Sequence, residues 1–290
     1  HLVDELIARG YRVLGMDRQP RHDEPRYEHQ TLDLADGVTS GAVAEVLQRS
    51  DVVFHLAARP GVRGRGPVIE EMRRRDNVVA TRNLLSIVPG DIPLVVTSSS
   101  SVYGSSVSGV PAREDDVLRP RGGYARSKVA MEQVCEHRRA RGGLVAVVRP
   151  FTVAGEGQRA DMAFSLWIEA LKRGLPIQIL GSERRSRDIT DVRDAVEGLI
   201  RAGERGINRT VNLGTGVGHS LIEMATALLD VSGLDGDIVV RPASSDEADA
   251  TLADTRVCRD LLGFVPTTDL RGLLARQLEA GDRMGALATA

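Results

Sequence analysis

The chain has 290 residues, of which 42% are hydrophobic and 27% are charged, and its formal net charge is −2. This composition supports a packed core and excludes a wholly disordered chain, while the small charge argues against a nucleic-acid partner bound by bulk positive charge. No apolar run approaches the ~18 residues of a membrane span, and the spacing of Cys135 and Cys258 suits neither a disulfide framework nor a metal site, so we expect a cytoplasmic protein without metal or membrane.

Helical patterns and short apolar strands alternate along the first half of the chain. A first helix carries Leu2, Val3, Leu6 and Ile7 on one face. Strands are predicted over residues 12–15, 51–56, 92–97 and 144–148, with helices over residues 41–48, 68–86 and 123–141. The strands are apolar throughout, which is typical of a parallel sheet covered by helices on both faces. The pattern therefore indicates a Rossmann-type, doubly wound parallel α/β sheet.

The second half has shorter elements. Helices are predicted over residues 163–173, 192–202, 221–229 and 270–279, and strands over residues 177–179 and 210–212. We interpret residues 1–150 as a Rossmann domain and residues 151–290 mainly as a smaller mixed α/β domain, with some segments returning to the first. Because a Rossmann sheet opens with a strand and a glycine-rich turn, we expect roughly 15–25 residues to be absent before the first helix.

The segment GYARSK places Tyr124 and Lys128 one turn apart on one helix face. Free tyrosine has a pKa of ~10, and a nearby ammonium lowers it, so Tyr124 could act as a general base and acid. Lys128 is one of two lysines in a chain with 36 arginines, which favours a specific need for an ammonium. The alternative is an amphipathic helix with a packed tyrosine and a solvated lysine.

Four serines follow the strand over residues 92–97, within the segment VVTSSSSVYG. In an open α/β sheet, ligands bind at the loops after the strands, so a serine hydroxyl there could contact the oxygen that Tyr124 deprotonates. Alternatively, the serines satisfy their own backbone. The basic run Arg73–Arg75 is interpreted as a solvated helix face.

The order of these motifs resembles the extended short-chain dehydrogenase/reductases. The resemblance is to the nucleotide-sugar epimerase/dehydratase group, and it is closest to UDP-glucuronate 4-epimerases. It rests on HLVDELIARGYRVLGMDR, FHLAA, NVVATRNLL, SSSSVYG, YARSK, RPFTVAG, RSRDITDVRD and NLGTG, in the family's order, over essentially the whole chain. It implies an NAD-dependent enzyme that acts on a UDP-sugar, and a homodimer formed through the helices over residues 68–86 and 123–141.

The resemblance implies an NAD site at the strand ends. Asp17 would accept hydrogen bonds from the ribose hydroxyls and repel a 2′-phosphate, although the adjacent Arg18 would weaken that preference for NAD over NADP. Asp33 and Leu34 match adenine contacts, and the alternative for all of these residues is ordinary strand packing. The implied cofactor-binding set is Asp17, Arg18, Asp33, Leu34, Leu56, Ala57, Ala58, Asn77, Tyr124, Lys128 and Pro150.

The resemblance also assigns the substrate side. Ser99 matches the catalytic serine or threonine, while Ser100 and Ser101 stand where 4,6-dehydratases carry an Asp-Glu pair and decarboxylases carry a glutamate. Epimerisation therefore fits better than elimination. Thr152 and Arg159 match contacts near a sugar carboxylate, or they only shape the loop. The remaining implied substrate contacts are Ile179 near the uracil, Arg187 on the diphosphate and Arg241 as a second phosphate ligand.

The implied reaction is a three-step cycle. Tyr124, with Lys128 and Ser99, removes the C4 hydroxyl proton while hydride passes to NAD; the 4-keto sugar turns over, and hydride returns to its other face. The best substrate is UDP-glucuronate, converted to UDP-galacturonate. The alternatives are a UDP-glucose 4-epimerase, a UDP-glucuronate decarboxylase, a TDP-sugar epimerase or reductase and, from another class, a non-enzymatic NAD-binding scaffold.

Overall fold

A computed structural model describes residues 1–20, 26–37, 41–61, 64–106, 109–243 and 247–288, without the side chains of residues 42 and 282–288. The strands within these ranges are β1 (Leu14–Asp17), β2 (Glu28–Thr31), β3 (Val53–His55), β4 (Leu94–Thr97), β5 (Val145–Pro150), β6 (Thr152–Ala154), β7 (Ile177–Leu180), β8 (Ser186–Asp191), β9 (Thr210–Leu213), β10 (Gly218–Ser220) and β11 (Ile238–Arg241). The α-helices are α1 (Leu2–Ala8), α2 (Gly41–Gln48), α3 (Pro67–Arg73), α4 (Ala80–Ile87), α5 (Gly122–Ala140), α6 (Ala163–Lys172), α7 (Val192–Glu204), α8 (Leu221–Ser232), α9 (Arg256–Leu262) and α10 (Leu270–Ala288).

The largest sheet has four parallel strands in the order β3-β4-β5-β9. Its side chains alternate between two apolar layers because successive residues of a strand point to opposite faces. In β4, Leu94 and Val96 pack with α2, α4 and α5, whereas Val95 packs with α7 and α9. Burial on both faces explains why these strands are apolar throughout, and it confirms the predicted α/β fold with a parallel sheet.

Three smaller sheets complete the structure. β1 and β2 form a parallel pair, β11 pairs with β7, and β8 lies between β10 and β6. A second core joins α6, α8 and α10 to β7 and β8, and its centre contains Trp167, Ile179 and Leu228. The chain returns from this part to the largest sheet, because β9 pairs with β5 and α7 covers one sheet face.

The helix predicted over residues 68–86 is interrupted. α3 and α4 are joined by the π-helical segment Arg74–Val79, whose wider turn places Asp76 and Asn77 on the buried side. Both side chains contact Arg59: Asp76 accepts from its Nε at 2.7 Å, and Asn77 accepts from its backbone N–H at 2.6 Å. The π turn therefore supplies polar groups that a regular helix would have turned elsewhere.

The described ranges contain neither a candidate membrane span nor a candidate metal site. No helix there combines the length and the apolar character that crossing a bilayer requires. In the same ranges, no three His, Cys, Asp or Glu side chains are grouped so that they could bind a metal ion.

Candidate active site

A cavity of about 840 Å³ opens at the carboxyl ends of β4 and β5. One wall comes from the loop after β4 and the start of α5, and it carries Ser99, Ser100, Ser101 and Tyr124. The opposite wall comes from β6, α6, β7 and β8. The position matches the rule that parallel sheets bind ligands beyond the carboxyl ends of their strands, and the size suits a small organic ligand.

Tyr124 lies in the first turn of α5, beside the loop that follows β4. Gly122 has a φ of 73°, a left-handed conformation that favours glycine, where the chain turns into the helix. Ser99 caps the short 3-10 turn Ser100–Tyr103 by accepting from the backbone N–H of Ser101 at 3.2 Å. The hydroxyls of Ser99 and Tyr124 are hydrogen-bonded to each other. The two predicted catalytic hydroxyls therefore meet at the cavity wall.

We expected the ammonium of Lys128 to lower the pKa of Tyr124, but Lys128 is not among the groups that shift it. Burial raises the pKa of Tyr124, and the hydrogen bond with Ser99 and the guanidinium groups of Arg159 and Arg73 offset part of that rise. We expected Arg73 on a solvated helix face, and this prediction is wrong: its side chain is 1% exposed, whereas that of Arg74 is 62% exposed. The reason is that α3 packs against α5, and Arg73 lies on the packed face.

Lys128 is buried one turn after Tyr124. Its Nζ donates to the carbonyl of Thr97 at 2.8 Å and lies 6.0 Å from the centroid of the Tyr124 ring. Burial lowers the pKa of Lys128 to about 8, against the nearby charge of Glu132, which raises it. Lys128 therefore ties α5 to the end of β4, and its ammonium is retained near neutral pH.

Two hydroxyls of the cavity wall have no internal partner. The Oγ of Ser101 and the Oγ1 of Thr97 are buried, and neither finds a hydrogen bond among the described residues. Both residues line the cavity. Because buried polar groups are normally paired, these two hydroxyls are available to a bound ligand.

A buried polar network supports the serine loop, and sequence analysis missed it. Glu132 accepts from Arg149 at both oxygens, at 3.0 and 2.7 Å, and also accepts from the hydroxyl of Ser98. Arg149 donates to the Tyr103 hydroxyl at 2.7 Å, and Tyr103 donates to Asn212 at 2.7 Å. The spacing Tyr-x₃-Lys-x₃-Glu was the available signal, since it puts Glu132 on the same helix face as Lys128.

The opposite wall carries the predicted substrate contacts. Thr152 in β6, Arg159 and Arg187 in β8 all line the cavity. Arg159 forms a two-point ion pair with Asp161 at 2.9 and 3.1 Å and is 45% exposed. Arg187 donates to the carbonyl of Ser186 at 2.8 Å, and the burial of its guanidinium lowers its pKa.

Two predicted contacts lie off the cavity. The side chain of Ile179 is fully buried in the second core, so its neighbours Gln178 and Leu180 line the cavity instead. Arg241 is exposed at the end of β11 and does not line the cavity; its carbonyl accepts from Gly181 at 2.7 Å. Sequence analysis passed over Arg121, Arg185 and Asp249 near Arg187. Arg121 lines the cavity, and Asp249 pairs with Arg185 at 3.0 Å and lies 3.8 Å from Arg121.

The remaining predicted residues form an edge beside the sheet. Asp17 ends β1, where its Oδ1 accepts from the backbone N–H of Gln19 at 2.8 Å. Arg18 turns away onto Asp76 at 3.1 Å, and Asp33 accepts from Arg75 at 3.0 Å.

The strand end after β3 is open at this edge. Leu56 and Ala57 are exposed and Ala58 is partly buried, while Asn77 is fully buried and donates to Ser127 at 2.8 Å. Leu34 packs at the rim of the core. Pro150 ends β5 and lines the cavity.

Comparison with known proteins decides the family. The sequence model of the NAD dependent epimerase/dehydratase family matches residues 1–214. The chain belongs to this family. Among curated relatives of this epimerase/dehydratase, the uncharacterized UDP-glucose epimerase YtcB of Bacillus subtilis (strain 168) is 30% identical over 96% of the chain and 92% of YtcB. The probable UDP-glucuronate 4-epimerase of Rhizobium meliloti (strain 1021) is 28% identical over 98% of the chain and 93% of that relative.

A solved structure extends the match. MoeE5 in complex with UDP-glucuronic acid and NAD is 34% identical, with a TM-score of 0.87 over 98% of this chain and 95% of MoeE5. MoeE5 is also known in complex with UDP-glucose and NAD. These matches confirm the predicted family and its NAD dependence.

The edge of this epimerase/dehydratase fits the dinucleotide. The carboxylate of Asp17 stands at the exposed end of β1, where it can accept from ribose hydroxyls, and Arg18 is held away from it by Asp76. The exposed Ala57 leaves room for close approach, and the buried Oγ1 of Thr97 lacks a partner among the described residues. Donors, acceptors and open space therefore suit the family's cofactor.

Proposed function

We propose that this protein is an NAD-dependent 4-epimerase of a UDP-sugar that interconverts UDP-glucuronate and UDP-galacturonate. The observation that carries the proposal is the cavity wall beside Tyr124, which presents hydroxyls at Ser99, Ser100 and Ser101 and has no carboxylate at the last two positions. Such a wall can handle one proton at one sugar oxygen, but it offers no second acid or base for elimination.

In the proposed reaction, one atom of the protein accepts and returns the C4 hydroxyl proton. The Oη of Tyr124, hydrogen-bonded to Ser99, accepts the C4 hydroxyl proton and later returns it to the same oxygen on the inverted sugar. NAD, when bound at the edge of the sheet, supplies the reversible removal of hydride from C4. Lys128 fixes the geometry by binding the Thr97 carbonyl, which keeps α5 and the serine loop in register. The 4-keto sugar turns in the cavity before the proton returns.

Among the described residues, three further carboxylates line the cavity, and each lies near a guanidinium; Glu247 interacts with Arg187. Glu156 pairs with Arg193 at 2.6 Å and with Arg276 at 3.3 Å, and Asp161 pairs with Arg159 at 2.9 Å. An ion-paired carboxylate is a poor proton donor because its charged form is stabilised. This supports an epimerase over a decarboxylase or a dehydratase.

An acidic sugar is favoured by the opposite wall. Thr152 faces the cavity across from the three serines, and Arg159 supplies a cation at the rim of that wall. Neutral hydroxyls can hold a sugar carboxylate by donating hydrogen bonds to it, without neutralising its negative charge. The complexes of the relative MoeE5 with UDP-glucuronic acid and with UDP-glucose support both sugars as candidates.

The diphosphate is assigned to Arg187. Its guanidinium lies in the cavity wall, close to Glu247 and to the Arg185–Asp249 pair, so a diphosphate would compete with carboxylates for it. A guanidinium fork matches the geometry of phosphate oxygens. The Ile179 strand would meet the uracil through its backbone, and Arg241 would bind only if the β11 end moved toward the cavity.

A homodimer is part of the proposal. α3 presents Val68, which is 74% exposed, and Met72, which is 37% exposed, on its outer face next to α5. Exposed apolar side chains on one helix face suit a self-complementary interface. Light scattering of the wild type and of Val68→Arg tests this, because a dimer through α3 predicts a monomeric variant and an unchanged mass contradicts it.

The function is tested with purified protein, NAD and UDP-glucuronate, by following the anomeric proton signals by NMR. Appearance of UDP-galacturonate without loss of carbon dioxide is the expected result. A pentose product would show that Ser100 and Ser101 do not prevent decarboxylation. Turnover of UDP-glucose or of a TDP-sugar instead would keep the Tyr124 chemistry and overturn the substrate assignment.

A further inference from the structure

Two successive Glu-Arg pairs of the same spacing lie at the end of α3, and their arginines differ in exposure to solvent. Glu70 binds Arg73 at 3.0 Å, and Glu71 binds Arg74 at 2.6 Å. The side chain of Arg73 is 1% exposed, whereas those of Glu71 and Arg74 are about 60% exposed, at 61% and 62%. Burying a guanidinium costs desolvation free energy, so we expect the buried position of Arg73 to serve a purpose beyond keeping the surface polar.

Arg73 reaches the rim of the cavity. Its second guanidinium nitrogen donates to the carbonyl of Gly61 at 2.7 Å, and Gly61 lines the cavity beside Tyr124. Its Nε is buried without a hydrogen-bond partner among the described residues. The charged guanidinium is therefore buried with two of its three nitrogens hydrogen-bonded to described residues.

Glu70 touches the first turn of the helix that carries Tyr124. A Cβ at Gly123 would lie 1.9 Å from each carboxylate oxygen of Glu70, so any larger residue at this position would displace the Glu70 side chain. The carboxylate therefore lies against the amino-terminal turn of α5, where the helix dipole favours a negative charge. Gly123 directly precedes Tyr124 in the chain.

We propose that the Glu70–Arg73 pair, in which the arginine is buried and the glutamate is 39% exposed, positions the catalytic tyrosine by holding the first turn of α5 and the Gly61 loop together. The charge of Arg73 then favours the ionised form of Tyr124. The proposal deepens the function above and rests on Tyr124 being its base. Arg73 acts through space on Tyr124 and is a positioning residue.

The charged groups that face Tyr124 come from three elements. Lys128 lies on its own helix, Arg159 follows β6, and Arg73 with its partner Glu70 comes from α3. Arg159 is exposed and paired with Asp161, so solvent and salt weaken its effect. Arg73 is shielded from solvent, and its charge acts in both the free and the substrate-bound protein.

The test is the ultraviolet titration of tyrosinate, taken as the difference between each protein and the same protein with Tyr124→Phe. Arg73→Met removes a cation and should move the titration of Tyr124 to higher pH. Glu70→Gln removes the anion that offsets Arg73 and should move it to lower pH. Arg73→Lys should restore most of the wild-type value, and Arg74→Met is the matched control, which should change nothing.

Kinetics give a second reading of the same change. In Arg73→Met, the acid limb of the kcat profile should shift to higher pH and kcat at neutral pH should fall about tenfold, the change that one pKa unit in a base produces. Opposite shifts in Arg73→Met and Glu70→Gln support the proposal, because loss of a purely structural pair would move both the same way. Equal shifts, or none in folded variants, overturn it. Because the titration needs no substrate, it tests the effect of Arg73 and Glu70 on Tyr124 even if the substrate assignment is wrong.

Discussion

The two walls of the cavity are built differently. On the wall of β4 and α5, the functional groups are fixed by buried contacts: Lys128 binds a backbone carbonyl, and Glu132 binds both Ser98 and Arg149. On the opposite wall, Arg159 is half exposed and pairs with a neighbour two residues away. The groups of the first wall are therefore held by buried contacts, whereas Arg159 on the second wall is held by one partly exposed ion pair.

We infer that this difference separates chemistry from recognition. Proton transfer requires atoms held within hydrogen-bond distance, so its side chains need rigid support. Recognition of a sugar and a diphosphate tolerates movement and can be altered by single exchanges. Substitutions in the first wall should therefore lower kcat or stability, and substitutions in the second should change KM or substrate preference.

The largest effect is expected for Tyr124→Phe. Without its hydroxyl, the cavity has no base at the C4 oxygen, and kcat should fall by about 10²–10⁴-fold while binding of the nucleotide sugar is nearly unchanged. Steady-state kinetics and isothermal calorimetry measure the two quantities. Tyr11→Phe is the control, since Tyr11 donates to Glu204 at 2.7 Å on the surface. A normal rate with lost binding would contradict the base assignment.

Glu132→Gln should affect both stability and pH dependence. It breaks the buried pair with Arg149, which should cost about 3–5 kcal/mol of unfolding free energy. Burial already lowers the pKa of Lys128 to about 8, and losing the Glu132 charge lowers it further. Lys128 then loses its proton at lower pH, so activity should begin to fall at lower pH than in the wild type.

Chemical denaturation and the kcat profile measure these two effects of Glu132→Gln. Glu136→Gln is the matched control, because Glu136 lies one turn further along α5, pairs with Arg139 and is 58% exposed. A basic limb that stays in place in Glu132→Gln would show that Lys128 does not set it.

Sequence reasoning located the first wall well because its signals are local. Tyr124 and Lys128 share one helix face by spacing alone, and the serines follow an apolar strand at a place fixed by the parallel sheet. Sequence reasoning misjudged Arg73, because the burial of this arginine depends on how α3 packs against α5. The local sequence of neither helix indicates that contact.

The second wall was harder to predict for a similar reason. β8 has the polar sequence SRDITD, yet Asp188 is fully buried in it and accepts from the backbone N–H groups of Thr215, Gly216 and Ala253. Buried polar residues paired with distant backbone hide the strand pattern. The missed strand places Arg187 in the cavity wall, a position that only the resemblance to a family had indicated.

Arg187→Ala should weaken nucleotide binding without changing the chemical step. Loss of a charged hydrogen bond to phosphate costs about 1.5–3 kcal/mol, which raises KM roughly 10–100-fold while kcat stays within a few-fold. Arg184→Ala serves as the control, since Arg184 is exposed nearby and does not line the cavity. An effect confined to kcat would move Arg187 from recognition to chemistry.

The smallest effect is expected for Thr152→Asn, and it tests the second wall most directly. Thr152 faces the cavity from β6 across from the serines, and an amide there adds a second donor and an acceptor that meets a carboxylate unfavourably. The ratio of kcat/KM for UDP-glucuronate to that for UDP-glucose should fall about tenfold, while the better of the two kcat values changes little. Competition assays with both sugars in one tube measure the ratio directly. If the ratio holds, the sugar carboxylate is bound either by Arg159 on the same wall or by the serines, and in the second case the wall of β4 and α5 also takes part in recognition.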